Sequence, residues 1–321
     1  MPSDSVQRSV YFYRLKVVDD DDPTPRAPSD DFGRLVVKEL GSLSPSQRIL
    51  PFDGGLRYMV SQPAEVDGFP ALRFANVRVT ALPEAYDFRQ GLARDLDLSE
   101  DEGITETTHL VFFPGGVVGA EFTQLGPRVT QLPFYLDATL PDLKPGVVAK
   151  ALLHPDTQAQ LDRMEDITLM EVSIKRSELD NLRRASPDDG AIMSIDEALN
   201  VTANNLGGDH VTIVVRNAGR RGGRSQSLVS RGMEVVRALG GSSAFLDTAE
   251  RFKIRGYAPD DPRQVRLDLL NEKLLTVVTV PRVLASRRID TGSMLAKIVE
   301  SYRDLKPQID LAGEVLFRDS D

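Results

Sequence analysis

The stretch from residue 105 to residue 123, TETTHLVFFPGGVVGAEFT, constrains the fold more than any other. Two apolar, β-branched runs flank Pro114, Gly115 and Gly116, and tandem glycines reach the positive φ that tight hairpin turns require. The segment therefore reads as a β-hairpin. With Pro114, Gly115 and Gly116 as the loop, facing residues have numbers that sum to 230, and His109 stands opposite Glu121. A two-residue Gly-Gly loop would shift the register by one and separate them. A paired His109 and Glu121 has the makings of an acid–base couple, although most such cross-strand contacts are structural.

Short strands and turns surround the hairpin. Residues 10–18, 56–61 and 70–80 carry strand patterns, and residues 32–40 a short helix. The polar, acidic stretch 84–103 is expected to be partly helical at best. A helix is expected over 129–136, and the proline- and glycine-bearing loop 141–146 follows it. Beyond it, strands at 147–153, 167–175, 210–216, 251–257, 265–270 and 274–280 mix with helices at 154–164, 177–185, 194–204, 225–239 and 291–305. Strict βαβ order is absent, so the expected class is α+β. The division expected is an N-terminal mostly-β domain with the hairpin (1–143) and a C-terminal mixed α+β domain with an arginine-rich segment (144–321).

Composition narrows the chemistry. The 321 residues include no cysteine and three histidines. That excludes disulfides, thiolate metal sites and cysteine nucleophiles, and leaves little imidazole chemistry. No HExxH or paired i,i+4 histidines occur, so no metal or other cofactor is expected. Residues 95–106 imitate the spacing of a calcium loop, but Glu100 stands where the sharp turn demands glycine. No GxSxG elbow, Walker loop or dinucleotide fingerprint is present. The N-terminal apolar run is interrupted by Arg14 and Lys16 and lacks the order of a signal peptide. Nothing approaches eighteen uninterrupted apolar residues. A cytoplasmic protein with no membrane partner is expected.

Charge is the remaining clue. The net charge is −9, from 39 basic and 48 acidic residues. Residues 1–150 carry 22 acids and 15 bases, while residues 151–321 carry 26 and 24, so any basic footprint lies in the second half. Residues 216–237, RNAGRRGGRSQSLVSRGMEVVR, hold six arginines and one acid. Arg216, Arg220, Arg221 and Arg224 fall at a glycine-rich strand-to-helix junction, and Arg231 follows on the expected helix. Guanidinium forks match phosphate oxygens there. The plain alternative is a solvated loop paired with acids elsewhere. Arg251, Lys253 and Arg255 alternate along a strand, which puts all three on one sheet face near Tyr257, suited to a phosphate backbone. An exposed face with no ligand is the alternative.

Two segments, THLVFFPGGVVGAEFTQLGPR and RLDLLNEKLLTVVTVPR, resemble uncharacterised bacterial proteins of about this length found beside phage-defence and mobile-element genes. The resemblance implies a bacterial cytoplasmic setting and a defence role, and transfers no catalytic residue. Three functions stay open. The favoured one is a non-catalytic binding protein that contacts DNA, RNA or a nucleoprotein partner through the arginine-rich half. The second is a protein-binding scaffold, homo-oligomer or regulatory subunit. The third is a metal-dependent nuclease with carboxylates the sequence does not single out.

Overall fold

The computed structural model describes residues 5–18, 26–141, 146–164, 166–175, 197, 201–202, 210–216, 236, 239, 245, 249–258, 261–283 and 288–317. Strands and helices mix in an α+β arrangement. The expected helices at 177–185, 194–204 and 225–239 lie wholly or mostly outside the described residues. The chain forms two compact units built from interleaved segments. Unit 1 takes Met1–Val10, Val17–Val147 and Val277–Ser301, and unit 2 takes Tyr11–Lys16, Val148–Thr276 and Tyr302–Asp321.

Unit 1 is organised by an antiparallel meander. In spatial order it runs β8 (Val117–Glu121), β7 (Ile104–Phe113), β4 (Phe69–Arg78), β3 (Arg57–Val66) and β2 (Ile49–Phe52). The N-terminal strand β1 (Ser5–Val18) lies beyond β8, where Ser9 accepts the Phe122 amide at 2.8 Å. The hairpin turns through Pro114–Gly116, with Gly115 and Gly116 at φ 69° and 70°. Its pairs Leu110↔Ala120, Val111↔Gly119, Phe112↔Val118 and Phe113↔Val117 all follow the three-residue register. Every residue of β8 is buried, which suits a central strand covered on both faces.

Helix α1 (Phe32–Ser42) packs on the sheet over β3, β4 and β7. Phe32, Val36 and Leu40 recur every four residues and are buried with Gly33. Gly33 meets the sheet where a side chain would strike Phe112. Helix α2 (Leu132–Thr139) brings Tyr135 onto Phe74, with ring centroids 5.1 Å apart. Stretch 84–103 contains no helix. It holds the small hairpin β5 (Ala85–Asp87) and β6 (Leu92–Arg94). Asp87 Oδ1 accepts the amides of Arg89 and Gln90, and Gly91 at φ 69° completes the turn. Local turn chemistry there outweighs the polar composition.

Unit 2 contains a four-stranded antiparallel sheet, in the order β11 (His210–Arg216), β10 (Asp166–Lys175), β12 (Ala249–Ala258) and β13 (Asp261–Asp268). Val211, Met170, Val172, Ile174, Phe252, Ile254 and Leu267 form its buried face. Phe245 packs edge-on against Phe252 at 5.1 Å. The alternation that buries these residues turns their neighbours outward. Strand β9 (Gly146–Ala151) pairs with β1, and helix α3 (Pro155–Arg163) follows it. Strand β14 (Leu275–Pro281) and helix α4 (Thr291–Phe317) end the described chain. Within unit 2, Arg14 of β1 donates to the Ile309 carbonyl at 3.3 Å. Burial lowers the Arg14 pKa, and the Asp310 carboxylate partly offsets that. Among the described residues, no helix is long and apolar enough to cross a membrane.

Candidate functional site

Strand β12 carries the first site. Phe252 and Ile254 point into unit 2, so Arg251, Lys253 and Arg255 share the opposite, exposed face. The registers decide what each cation meets. Glu171 and Asp268 flank Lys253, Ser173 faces Arg251, and Arg255 lies between Leu169 and Arg266. Arg251 Nη1 contacts Glu171 Oε1 at 2.6 Å, and Lys253 Nζ contacts Asp268 Oδ2 at 3.5 Å. The hydrogen bond from Arg251 holds the Glu171 carboxyl below its ordinary range and raises Arg251 in return. At the edge of the face, burial works against the Glu250 charge. Hydrogen bonds from His210 and Lys175 outweigh it and keep that carboxyl low.

Arg255 has a different neighbourhood. On β13 its direct partner is Arg266, and on β10 it is Leu169, whose other partner is Arg216 of β11. Arg216, Arg255 and Arg266 therefore stand in one row across the sheet, all exposed. With strands about 4.8 Å apart, the row spans about 15 Å. Like charges placed directly opposite destabilise a strand pair. The row thus keeps an electrostatic cost that an anion lying across the strands would relieve.

The structure brings four of the sequence-selected residues, Arg216, Arg251, Lys253 and Arg255, onto one sheet face. Arg220, Arg221, Arg224 and Arg231 lie outside the described residues. Arg266 was missed because the segment VRLDLL gave no alignment to β12. Its alternation with Asp268 was the available signal. Tyr257 is half-buried, at the next alternate position of β12.

A second cluster lies in unit 1. His109 and Glu121 are both buried. His109 Nδ1 and Glu121 Oε2 are 2.6 Å apart. The carboxylate accepts, so Nδ1 carries the proton and Nε2 faces the Thr291 hydroxyl, 3.2 Å away at the start of α4. The other carboxylate oxygen lies 3.0 Å from Arg8 Nε. That N–H is poorly aimed, and both Arg8 Nε and Glu121 Oε1 lack a hydrogen bond.

Arg73 is the direct partner of His109 across β4 and β7 and donates to Gln62. Burial lowers the Arg73 pKa, and the Arg288 charge lowers it further. Asp290 accepts the Ser293 hydroxyl and amide, at 2.7 and 2.8 Å, and those bonds hold its carboxyl low. The remaining histidines stand apart: His154 precedes α3, and His210 contacts Glu250 at 2.8 Å. Among the described residues, no group of three or more histidine, aspartate and glutamate side chains is placed to hold a metal ion. The chain matches no protein-family model and no curated protein sequence.

Proposed function

We propose that the protein binds the phosphate backbone of DNA or RNA across the exposed sheet face of unit 2. The carrying observation is the row Arg216–Arg255–Arg266, in which two arginines are direct cross-strand partners. Charges neutralised by Glu171 and Asp268 flank the row and give it a register on the sheet. Guanidinium forks suit phosphate oxygens, and contacts to phosphates carry no sequence information. The arginines of 220–231 follow β11 directly in the sequence. A cytoplasmic setting and a bacterial phage-defence role belong to the same proposal. The support for them is the cysteine-free composition and the resemblance of two segments.

The test is a titration of labelled single- and double-stranded oligonucleotides between 50 and 200 mM salt, by mobility shift or anisotropy. Three phosphate contacts contribute about −2 to −3 to the slope of log K against log salt. Replacing Arg216, Arg255 and Arg266 together by glutamine should remove that much of the slope. The variant loses the Arg255–Arg266 repulsion together with the attraction of Arg255 for Glu171, so its melting temperature should stay close to the parent's. Unchanged binding in the variant, or binding indifferent to salt, would refute the assignment.

A second reading, a protein-binding component, draws on the β5–β6 hairpin. Tyr86, Phe88 and Leu92 there are 55%, 88% and 63% exposed. No shift with any oligonucleotide, together with partner capture that Phe88→Ser abolishes, would favour it.

A further inference from the structure

The geometry points to a second, chemical activity in unit 1: we propose that Thr291, His109 and Glu121 form a nucleophile–base–carboxylate relay that transfers or hydrolyses acyl groups carrying a negative charge. The proposal is independent of backbone binding in unit 2. It rests on order and distance. A carboxylate accepts a hydrogen bond from Nδ1 at 2.6 Å, and the opposite ring nitrogen lies 3.2 Å from a hydroxyl. Those are the three roles and two contacts by which such relays are recognised on unrelated folds. Each member comes from a different element (β7, β8 and α4), so the arrangement is tertiary and not a local turn.

The surroundings match. Thr291 opens a long helix whose dipole favours the developing oxyanion, while Asp290 already accepts the Ser293 and Met294 amides of that first turn. Thr291 is half-buried, and the Arg8 side chain is 35% exposed, so the cluster reaches the surface. Glu121 is fully buried and sits between two cationic or proton-bearing partners, His109 Nδ1 at 2.6 Å and Arg8 Nε at 3.0 Å, which hold its carboxylate in place behind the imidazole. Arg73, opposite His109, donates to the neutral Gln62 and feels the Arg288 charge. The Arg73 charge, next to His109 in register, favours a substrate with its own negative charge, while the Arg288 charge also acts on the Asp290 carboxylate.

In the first step Thr291 Oγ1 bonds to the carbonyl carbon while its proton passes to His109 Nε2. The tetrahedral adduct collapses, the bond to the leaving alcohol breaks, and that alcohol takes the proton from Nε2. Water then adds to the acyl-threonine and gives a proton to Nε2. Thr291 Oγ1 departs with that proton as the carboxylic acid is released. Glu121 is the positioning residue that keeps Nε2 facing the hydroxyl.

The test uses the full chain with mono-p-nitrophenyl adipate and, as its neutral counterpart, p-nitrophenyl hexanoate. The expected result is a p-nitrophenolate burst of up to one equivalent, faster with the adipate. Fragmentation should place the acyl group on Thr291, and not Ser293, in the tryptic peptide spanning residues 289–297. Thr291→Ala should abolish the adduct, and Thr291→Ser should restore it at the same position. His109→Gln should slow the burst at least about a hundredfold, and Arg73→Gln should erase the preference for adipate. Circular dichroism and melting temperature verify that each variant is folded. A wild-type chain with no burst and no adduct, or acylation of Thr291→Ala equal to wild type, would overturn the proposal.

Discussion

Replacing Tyr135 by phenylalanine isolates one oxygen in the core of unit 1. The ring is fully buried against Phe74, and phenylalanine keeps that contact. The hydroxyl lies 2.7 Å from the Arg48 carbonyl and 2.8 Å from Ser61 Oγ. Tyr135 has one proton, which goes to the carbonyl, so Ser61 is the donor in the other bond. The substitution therefore removes two hydrogen bonds and leaves the Ser61 hydroxyl buried without its acceptor. Each bond contributes about 1 kcal/mol, and an orphaned buried group costs about 1–3 kcal/mol, so the expected loss is about 2–4 kcal/mol. In a unit of this size that lowers the melting temperature by about 4–16 °C.

Urea unfolding followed by far-ultraviolet circular dichroism measures the loss. A double-mutant cycle tests the account more sharply. Ser61→Ala alone should cost about 1 kcal/mol, and adding it to Tyr135→Phe should cost almost nothing more, because the orphaned donor is gone. Additive losses, or a single-variant loss below about 0.5 kcal/mol, would refute the two-bond account. Burial also raises the Tyr135 pKa, despite hydrogen bonding to Ser61. A raised folded-state pKa means that the linked stability is fully present below the ordinary tyrosine value of about 10. It is lost as pH rises through the higher folded-state value, and Tyr135→Phe should remove that alkaline loss.

Helix α1 offers a paired prediction. A Cβ at Gly33 collides with Phe112 Cβ and lies 2.9 Å from its Cγ, whereas one at Gly41 meets nothing within 4 Å. Gly33→Ala should lose about 1–2 kcal/mol by overpacking despite better helix propensity, while Gly41→Ala should gain about 0.5–1 kcal/mol. Equal effects in chemical unfolding would disprove the close approach. Asp290 caps α4 through Ser293, and Asp290→Ala should cost about 1 kcal/mol. Its carboxyl pKa is lowered, so the cap's contribution is present above the ordinary aspartate range and lost as pH falls through the depressed value. An acid unfolding limb identical in Asp290→Asn and wild type would count against this.

Local signals made part of the molecule legible. The Pro114–Gly116 loop specified its own hairpin, and register arithmetic then placed His109 against Glu121. Alternation along β12 put Arg251, Lys253 and Arg255 on one face. It did not reveal which of them are neutralised, because the partners Glu171 and Asp268 arrive through registers set by other strands. Arg266 joined the row for the same reason. Thr291 lies 182 residues from His109, and only tertiary packing of α4 brings their side chains together. Strand β2 escaped notice because it is four residues long and contains Pro51, which an edge position tolerates.

The interleaving of the two units has a practical meaning for dissection by truncation. No single cut yields either one whole. A fragment ending at residue 147 lacks Val277–Ser301, and with it Thr291, Asp290 and Arg288. A fragment starting at residue 148 lacks Tyr11–Lys16, including the buried Phe12, Arg14 and Leu15. Each cut in a deletion series would therefore damage both units at once, and a lost signal could not be placed in either half. On the ribosome, the first unit waits for residue 301 before its last segment emerges, and by then most of the second unit has been made as well. Point substitutions on the full-length chain are the appropriate instrument for assigning function here.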